Sequence, residues 1–210
     1  MPRTPRESLA DRRSRRAAVD DPADVLAAAA RFLETRPRSS DEVRRRLRDA
    51  GYRADLVEGT LDRLTELGYL DDAAFARAWV ESRDRARPRG ARALRYELRR
   101  MGIAAADAEA ALAAREARAS GADPDDPRLV PGAGERAASE ASDDAAAARL
   151  LARKGPGLLR EHDLRKRRAK AYALLARGGF DPGTAGRASA VWLAATGTIS
   201  PDDEEPATEP

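Results

Sequence analysis

Arginine is the residue this sequence supplies in quantity for chemistry. Lys and Arg number 39 against 36 Asp and Glu, and only Lys154, Lys166 and Lys170 of those bases are lysines. The charge is clustered. Residues 83–100 hold eight arginines against Asp84 and Glu97, whereas residues 201–210 hold five acids and no base. A guanidinium is permanently charged and forks onto carboxylates and phosphates. A basic middle with an acidic end therefore points to a polyanion or an acidic protein surface as partner. On a helix, Arg92, Arg95 and Arg99 fall within about 60° of one another. Arg44 and Arg48 stand where Arg95 and Arg99 stand, one repeat earlier. Like charges four apart destabilise a helix by about 0.2–0.5 kcal/mol unless something answers them. With Arg77, Arg83, Arg87 and Arg89 these residues form the candidate partner-binding set. A solvated face on an Arg-rich protein is the competing explanation, and the sequence leaves it open.

Other chemistry is poorly provided for. His162 is the one histidine, set between Glu161 and Asp163, and reads as a solvated side chain rather than a base or ligand. No cysteine is present, which removes disulfides and thiolate metal sites. Asp71-Asp72 reads as helix capping rather than a metal site. Gly132-Ala133-Gly134 lies in a linker, not between a strand and a helix, and no phosphate-cradling loop is found. No catalytic, cofactor-binding or metal-ligating residue is expected, and the chain reads as a non-enzyme. No apolar run approaches the roughly 20 residues that span a bilayer, and the Arg-rich start lacks the apolar segment of a secretory signal. A cytoplasmic monomer with no membrane contact is the expectation.

The elements that would position the arginines are helices. Aromatics are 4% of the chain and charged residues 36%, which suits thin helix-on-helix cores with wet outer faces. Val43, Leu47 and Ala50 keep helical spacing and are followed by Gly51-Tyr52. Leu94, Leu98 and Met101, followed by Gly102-Ile103, repeat the pattern 51 residues on, and Leu175, Gly179 and Phe180 repeat it again. Each glycine falls where a left-handed residue ends a helix, with the next apolar residue as its lid. Ser39 and Glu42 match a capping box, Asp71 an N-cap, and Asp181-Pro182 an N-cap with proline at the first helical position. Ser142 or Asp143 could cap a further helix.

The fold expected is all-α: an elongated array of three tandem three-helix repeats with disordered termini. Residues 1–22 read as a disordered basic arm, 23–70 as the first repeat and 71–119 as the second. Residues 120–141, rich in Pro and Gly, read as a flexible insertion. The third repeat follows at 142–195 and a disordered acidic tail at 196–210.

With these repeats in view, the chain resembles the RecX family of recombination regulators. The likeness rests on Arg36-Pro37-Arg38-Ser39, L-G-Y-L-D-D-A-A-F-A-R-A-W-V-E-S-R over 67–83, R-P-R-G-A-R-A-L-R-Y-E-L-R-R-M-G-I over 87–103, and L-L-A-R-G-G-F over 174–180. Arg53, where the family tends to have an acid, and the 120–142 insertion depart from the pattern. The resemblance implies a protein without an active site. It implies binding along the groove of the filament that RecA recombinase forms on single-stranded DNA, limiting ATP hydrolysis, strand exchange and co-protease action. Whether the arginines would meet RecA, DNA or both stays open. The alternative is a helical-repeat protein that contacts nucleic-acid phosphates directly through its arginines, with binding that falls steeply with salt.

Loop entropy changes by only about 0.6 kcal/mol per doubling of length. Deleting about fifteen residues of the 120–142 segment should therefore leave the thermal midpoint nearly unmoved. A cooperative loss of helix by circular dichroism would show that the segment is structural.

Overall fold

The structure, a computed structural model, describes residues 8–120 and 135–196. Among the described residues there are ten α-helices and no strand: α1 Leu9–Ala17, α2 Pro22–Leu33, α3 Ser40–Ala50, α4 Ala54–Glu66, α5 Asp72–Ala86, α6 Ala91–Arg100, α7 Ala105–Ser120, α8 Glu135–Lys154, α9 Leu164–Arg177 and α10 Pro182–Thr196. The all-α expectation holds. After α1 the helices come in threes.

Two compact units form. One takes the chain up to Trp79 together with Tyr96–Ala111, the other Val80–Arg95 together with the chain from Leu112. The first is built on Val25, Ala29, Val43, Leu47, Val57, Leu61, Leu64 and Leu70, which include the Val43-Leu47 stripe read from helical spacing. The second centres on Ala146, Ala147, Leu150, Leu151, Ala171, Leu175, Phe180 and Ala185. Alanine at so many core positions lets helix backbones approach closely. Gly155, in the 3₁₀ turn Gly155–Leu158 after α8, would place any β-carbon 2.7 Å from the Trp192 ring.

Local caps follow the sequence closely. Asp71 accepts from the Ala74 N–H at 2.7 Å and Asp181 from the Thr184 N–H at 3.0 Å. Ser39 accepts from the Glu42 N–H at 3.2 Å, while the Glu42 carboxylate takes the Arg36 guanidinium at 2.7 Å. Asp72 lies in the first turn of α5, as its place beside Asp71 suggests, and has a second role. It accepts from the Ser40 N–H at 2.8 Å and so caps α3.

Three expectations change. Residues 8–17 read as disordered but form α1, which has no buried residue and hence no apolar periodicity to betray it. A reciprocal Ser8–Asp11 capping box starts it. Neither Ser142 nor Asp143 starts a helix of its own, because α8 already begins at Glu135 and both residues are buried inside it. Alanine-rich sequence on both sides favours continuing the helix. Residues 120 and 135–141, expected in the flexible insertion, belong to α7 and α8; residues 1–7, 121–134 and 197–210 lie outside the described residues.

The three glycine stops are the joints of the fold. Gly51, Gly102 and Gly179 have φ of 105°, 78° and 83°. Each closes a paired-hydrogen-bond turn: Gly102 N–H to Arg99 O at 3.0 Å and Ile103 N–H to Leu98 O at 3.1 Å, with the same pattern at Gly51-Tyr52 and Gly179-Phe180. Each turn is also covered by earlier chain. Ser39 Oγ donates to Met101 O at 2.6 Å, and at the equivalent place Gly90 N–H donates to Gly178 O at 3.2 Å. Arginines complete the set. Arg45 donates to Arg100 O, Arg89 to Arg177 O, and Arg16 of α1 to Ala50 O. Helix α1 thus does for the first repeat what each repeat does for the next. A β-carbon on Gly102 would fall inside contact distance of Asp41, and one on Gly179 inside that of Ala93.

Gly68 separates the two demands on these glycines, since it has φ 74° but nothing within 4 Å of a β-carbon. Gly68→Ala should cost about 1–2 kcal/mol, the left-handed penalty alone. Gly102→Ala should cost about 1–3 kcal/mol more, from overpacking against Asp41. Urea unfolding of the two variants checks this, and equal costs would remove the joint.

Candidate functional site

The candidate arginines divide by unit. Arg44, Arg48, Arg77 and Arg99 lie in the first, and Arg83, Arg87, Arg89, Arg92 and Arg95 in the second. On α6 the burial of Leu94 and Leu98, both 0% exposed, turns Arg92, Arg95 and Arg99 outward, where all three are exposed. Arg99 lies over the Tyr96 ring, 5.7 Å from its centroid. Arg48, Arg77 and Arg87 are likewise exposed.

Two members of the set do structural work. Arg44 is held by Glu58 at 3.0 Å and by Asp41 at 3.5 Å, which answers its charge within the protein. Arg89 is half-buried and holds the joint to Arg177 O at 3.2 Å. Arg83 is half-buried as well. The face offered to a partner is therefore narrower than the list of arginines, and α6 carries its clearest portion.

Sequence reasoning missed the most deeply engaged arginine. Arg115 is 3% exposed. It donates to Asp84 at 3.0 Å, to Asp143 at 2.6 Å and to Arg89 O at 3.1 Å. Asp143 also accepts from the Ala91 N–H at 3.1 Å, at the start of α6. Burial pushes the Asp143 carboxyl above its ordinary range, against the pull of the Ala91 N–H and the Arg115 guanidinium. Such a cluster fixes the α6 N-terminus and leaves little for a ligand. A signal existed: Ala108, Leu112 and Arg115 share one helix face at spacings of four and three, which puts Arg115 on the buried side.

His162 is exposed. Among the described residues no group of three or more His, Cys, Asp or Glu could hold a metal ion, and no helix is long and apolar enough to cross a membrane. What the surface offers is a set of guanidinium forks on rigid helices, suited to carboxylate or phosphate.

Comparison with known proteins bears on which partner this suits. Residues 26–64 match the family described as RecX, first three-helix domain, and residues 71–112 match RecX, second three-helix domain. The chain is 40% identical over 92 residues to "Regulatory protein RecX" of Prosthecochloris aestuarii, covering 44% of this chain and 61% of that one. It is 45% identical over 83 residues to the protein of the same name from Mycobacteroides abscessus, covering 40% of this chain and 41% of the relative. The matched region thus spans less than two thirds of either relative. The crystal structure of RecX from Lactobacillus salivarius shares the fold at a TM-score of 0.62 and 17% identity, over 82% of this chain and 97% of that one. A second crystal structure, of regulatory protein RecX, aligns at 0.57 over 84% and 70%. Helices α8–α10 lie beyond both family matches.

Removing one partner of a buried ion pair costs about 3–5 kcal/mol, so Arg115→Met should lower stability to urea by that order. It also leaves Asp143 without its cation. A carboxyl whose folded pKa lies above the unfolded value loses stability as pH rises through that interval and regains it on acidification. The variant should therefore recover stability on acidification from neutral pH more steeply than the parent. Parallel pH profiles would show that Asp143 does not depend on Arg115.

Proposed function

We propose that this chain, which belongs to the RecX family through its first and second three-helix domains, is a negative regulator of RecA recombinase. It binds along the groove of the helical filament that RecA forms on single-stranded DNA and limits ATP hydrolysis, strand exchange and co-protease action. It acts as a cytoplasmic monomer by occupying a surface, not by catalysis.

The observation that supports this most directly is the outward face of α6. That helix lies inside the matched second domain, with Leu94 and Leu98 fully buried and Arg92, Arg95 and Arg99 exposed. Its N-terminus is fixed by Asp143 and its C-terminus by Ser39. Three cations on a helix held at both ends are preorganised, so little ordering entropy opposes their docking on an acidic or phosphate-bearing groove. The same rigidity separates binding from folding, since exposed side chains of this kind usually contribute within about 0.5 kcal/mol to stability.

Charge reversal on α6 tests the reading. Arg95→Glu/Arg99→Glu should abolish inhibition of RecA ATP hydrolysis on single-stranded DNA while the circular dichroism spectrum stays helical. Arg160→Glu/Arg168→Glu, both exposed, is the control and should retain inhibition. Equal losses from both pairs would assign the effect to overall positive charge, and full inhibition by the α6 pair would remove those residues from the interface.

A further inference from the structure

Helix α1 closes a second arginine cluster that the sequence alone does not assemble. Between α1, α2 and α3 lies a cleft of about 660 Å³ with Arg12, Arg13, Arg16, Arg31 and Arg46 on its walls. Asp49 is the one carboxylate that lines it. Among the described residues none of these five arginines is ion-paired, although their neighbours are. On the same or adjacent elements Arg36 pairs with Glu42, Arg45 with Asp41, Arg53 with Asp55, and Arg63 with Glu66. The arginines of the cleft thus lack the carboxylate partners that several nearby arginines have.

The cluster works against the fold. Arg12 and Arg16 stand four apart on α1, a repulsive spacing, and α1 has no buried residue of its own to offset the cost. Its docking rests on the Arg16 donation to Ala50 O at 3.4 Å and on the close approach of Arg13 to Gly51. An anion seated in the cleft would remove the repulsion and tie α1 to α2 and α3 together. The volume lies within the range of small-ligand clefts.

Two rings shape the choice of anion. Phe32 and Tyr52 line the cleft, with Arg46 5.6 Å from the Phe32 centroid and Arg16 5.8 Å from that of Tyr52. Guanidinium forks alternate with flat apolar and cationic surfaces. Single-stranded nucleic acid presents the complement, phosphates for the forks and base faces for the planar groups. An acidic peptide supplies carboxylates but no bases.

We propose that the cleft between α1, α2 and α3 is a binding site for single-stranded nucleic acid, gripping its phosphodiester backbone through Arg12, Arg31 and Arg46, with Arg13 and Arg16 also holding α1 in place. This site is separate from the α6 face, and its test contains no RecA, so its outcome is independent of the filament reading.

The experiment measures fluorescence anisotropy of a labelled thymidine 20-mer with the full chain, across a salt series. Arg12→Gln/Arg31→Gln/Arg46→Gln should weaken binding about tenfold or more and make the log–log salt slope shallower by about 2, the value for three lost phosphate contacts on a single strand. Arg63→Gln/Arg118→Gln/Arg160→Gln removes the same charge from exposed positions outside the cleft and should stay within about twofold of the parent. Arg31→Gln alone, at an exposed residue whose loss cannot unseat α1, should show a smaller loss in the same direction and covers the case in which the triple variant fails to fold. Equal losses from both triple variants, an unchanged Arg31→Gln, or binding of poly-glutamate in place of the oligonucleotide would each overturn the proposal.

Discussion

The structure depends on one recurrent contact, the approach of a helix-ending glycine turn to the start of a helix one repeat earlier. At Gly102 the backbone is left-handed and Asp41 occupies the space a side chain would need. At Gly179 the same role falls to Ala93. Conformation and steric access are thus satisfied by one residue type. The joint is also electrostatically matched. The carbonyl end of a helix carries partial negative charge, and it meets a hydroxyl or amide donor from an N-cap, Ser39 in one case and Gly90 in the other. Where no earlier repeat exists, α1 supplies the covering element, with Arg16 on Ala50 O and Arg13 against Gly51.

This contact explains much of the arginine content. Arg16, Arg45 and Arg89 each reach a last-turn carbonyl of a glycine-terminated helix, and Arg153 reaches those of Arg85 and Ala86 at the end of α5. Arg115 goes further and joins the half-buried Asp84 and the buried Asp143 to the start of α6. A guanidinium suits these places because it spans several acceptors from one plane. The positive charge of the protein therefore has two populations. One is engaged with carbonyls and carboxylates of the fold. The other lies exposed on α6 and around the α1 cleft, as at Arg92, Arg99, Arg12, Arg31 and Arg46, and the functional argument concerns mainly that one.

The sequence determined the helical class, the helix ends and the repeat. Those features come from interactions within a turn or two: the N-caps at Asp71 and Asp181, the glycine turns at Gly51 and Gly102, and the stripes of Val43-Leu47 and Leu94-Leu98. Such signals need no knowledge of where the rest of the chain lies. The outward direction of Arg92, Arg95 and Arg99 was legible for the same reason, since buried leucines on one side of a helix fix what lies on the other.

Tertiary structure alone decided what each charge meets. Nothing local distinguishes Arg44, which Glu58 neutralises, from Arg48, or Asp72, which caps α3 across 32 residues, from Asp71, which caps its own helix. The Arg115–Asp143 pair spans 28 residues and the Ser39–Met101 bond 62. Helix α1 was invisible for a related reason: with no buried residue it has no periodicity, and its docking on α3 is a contact between distant segments. Backbone geometry and apolar spacing are properties of a short stretch of chain, whereas the partner of a charged side chain is set by whichever segments the folded chain brings within a few ångströms of it.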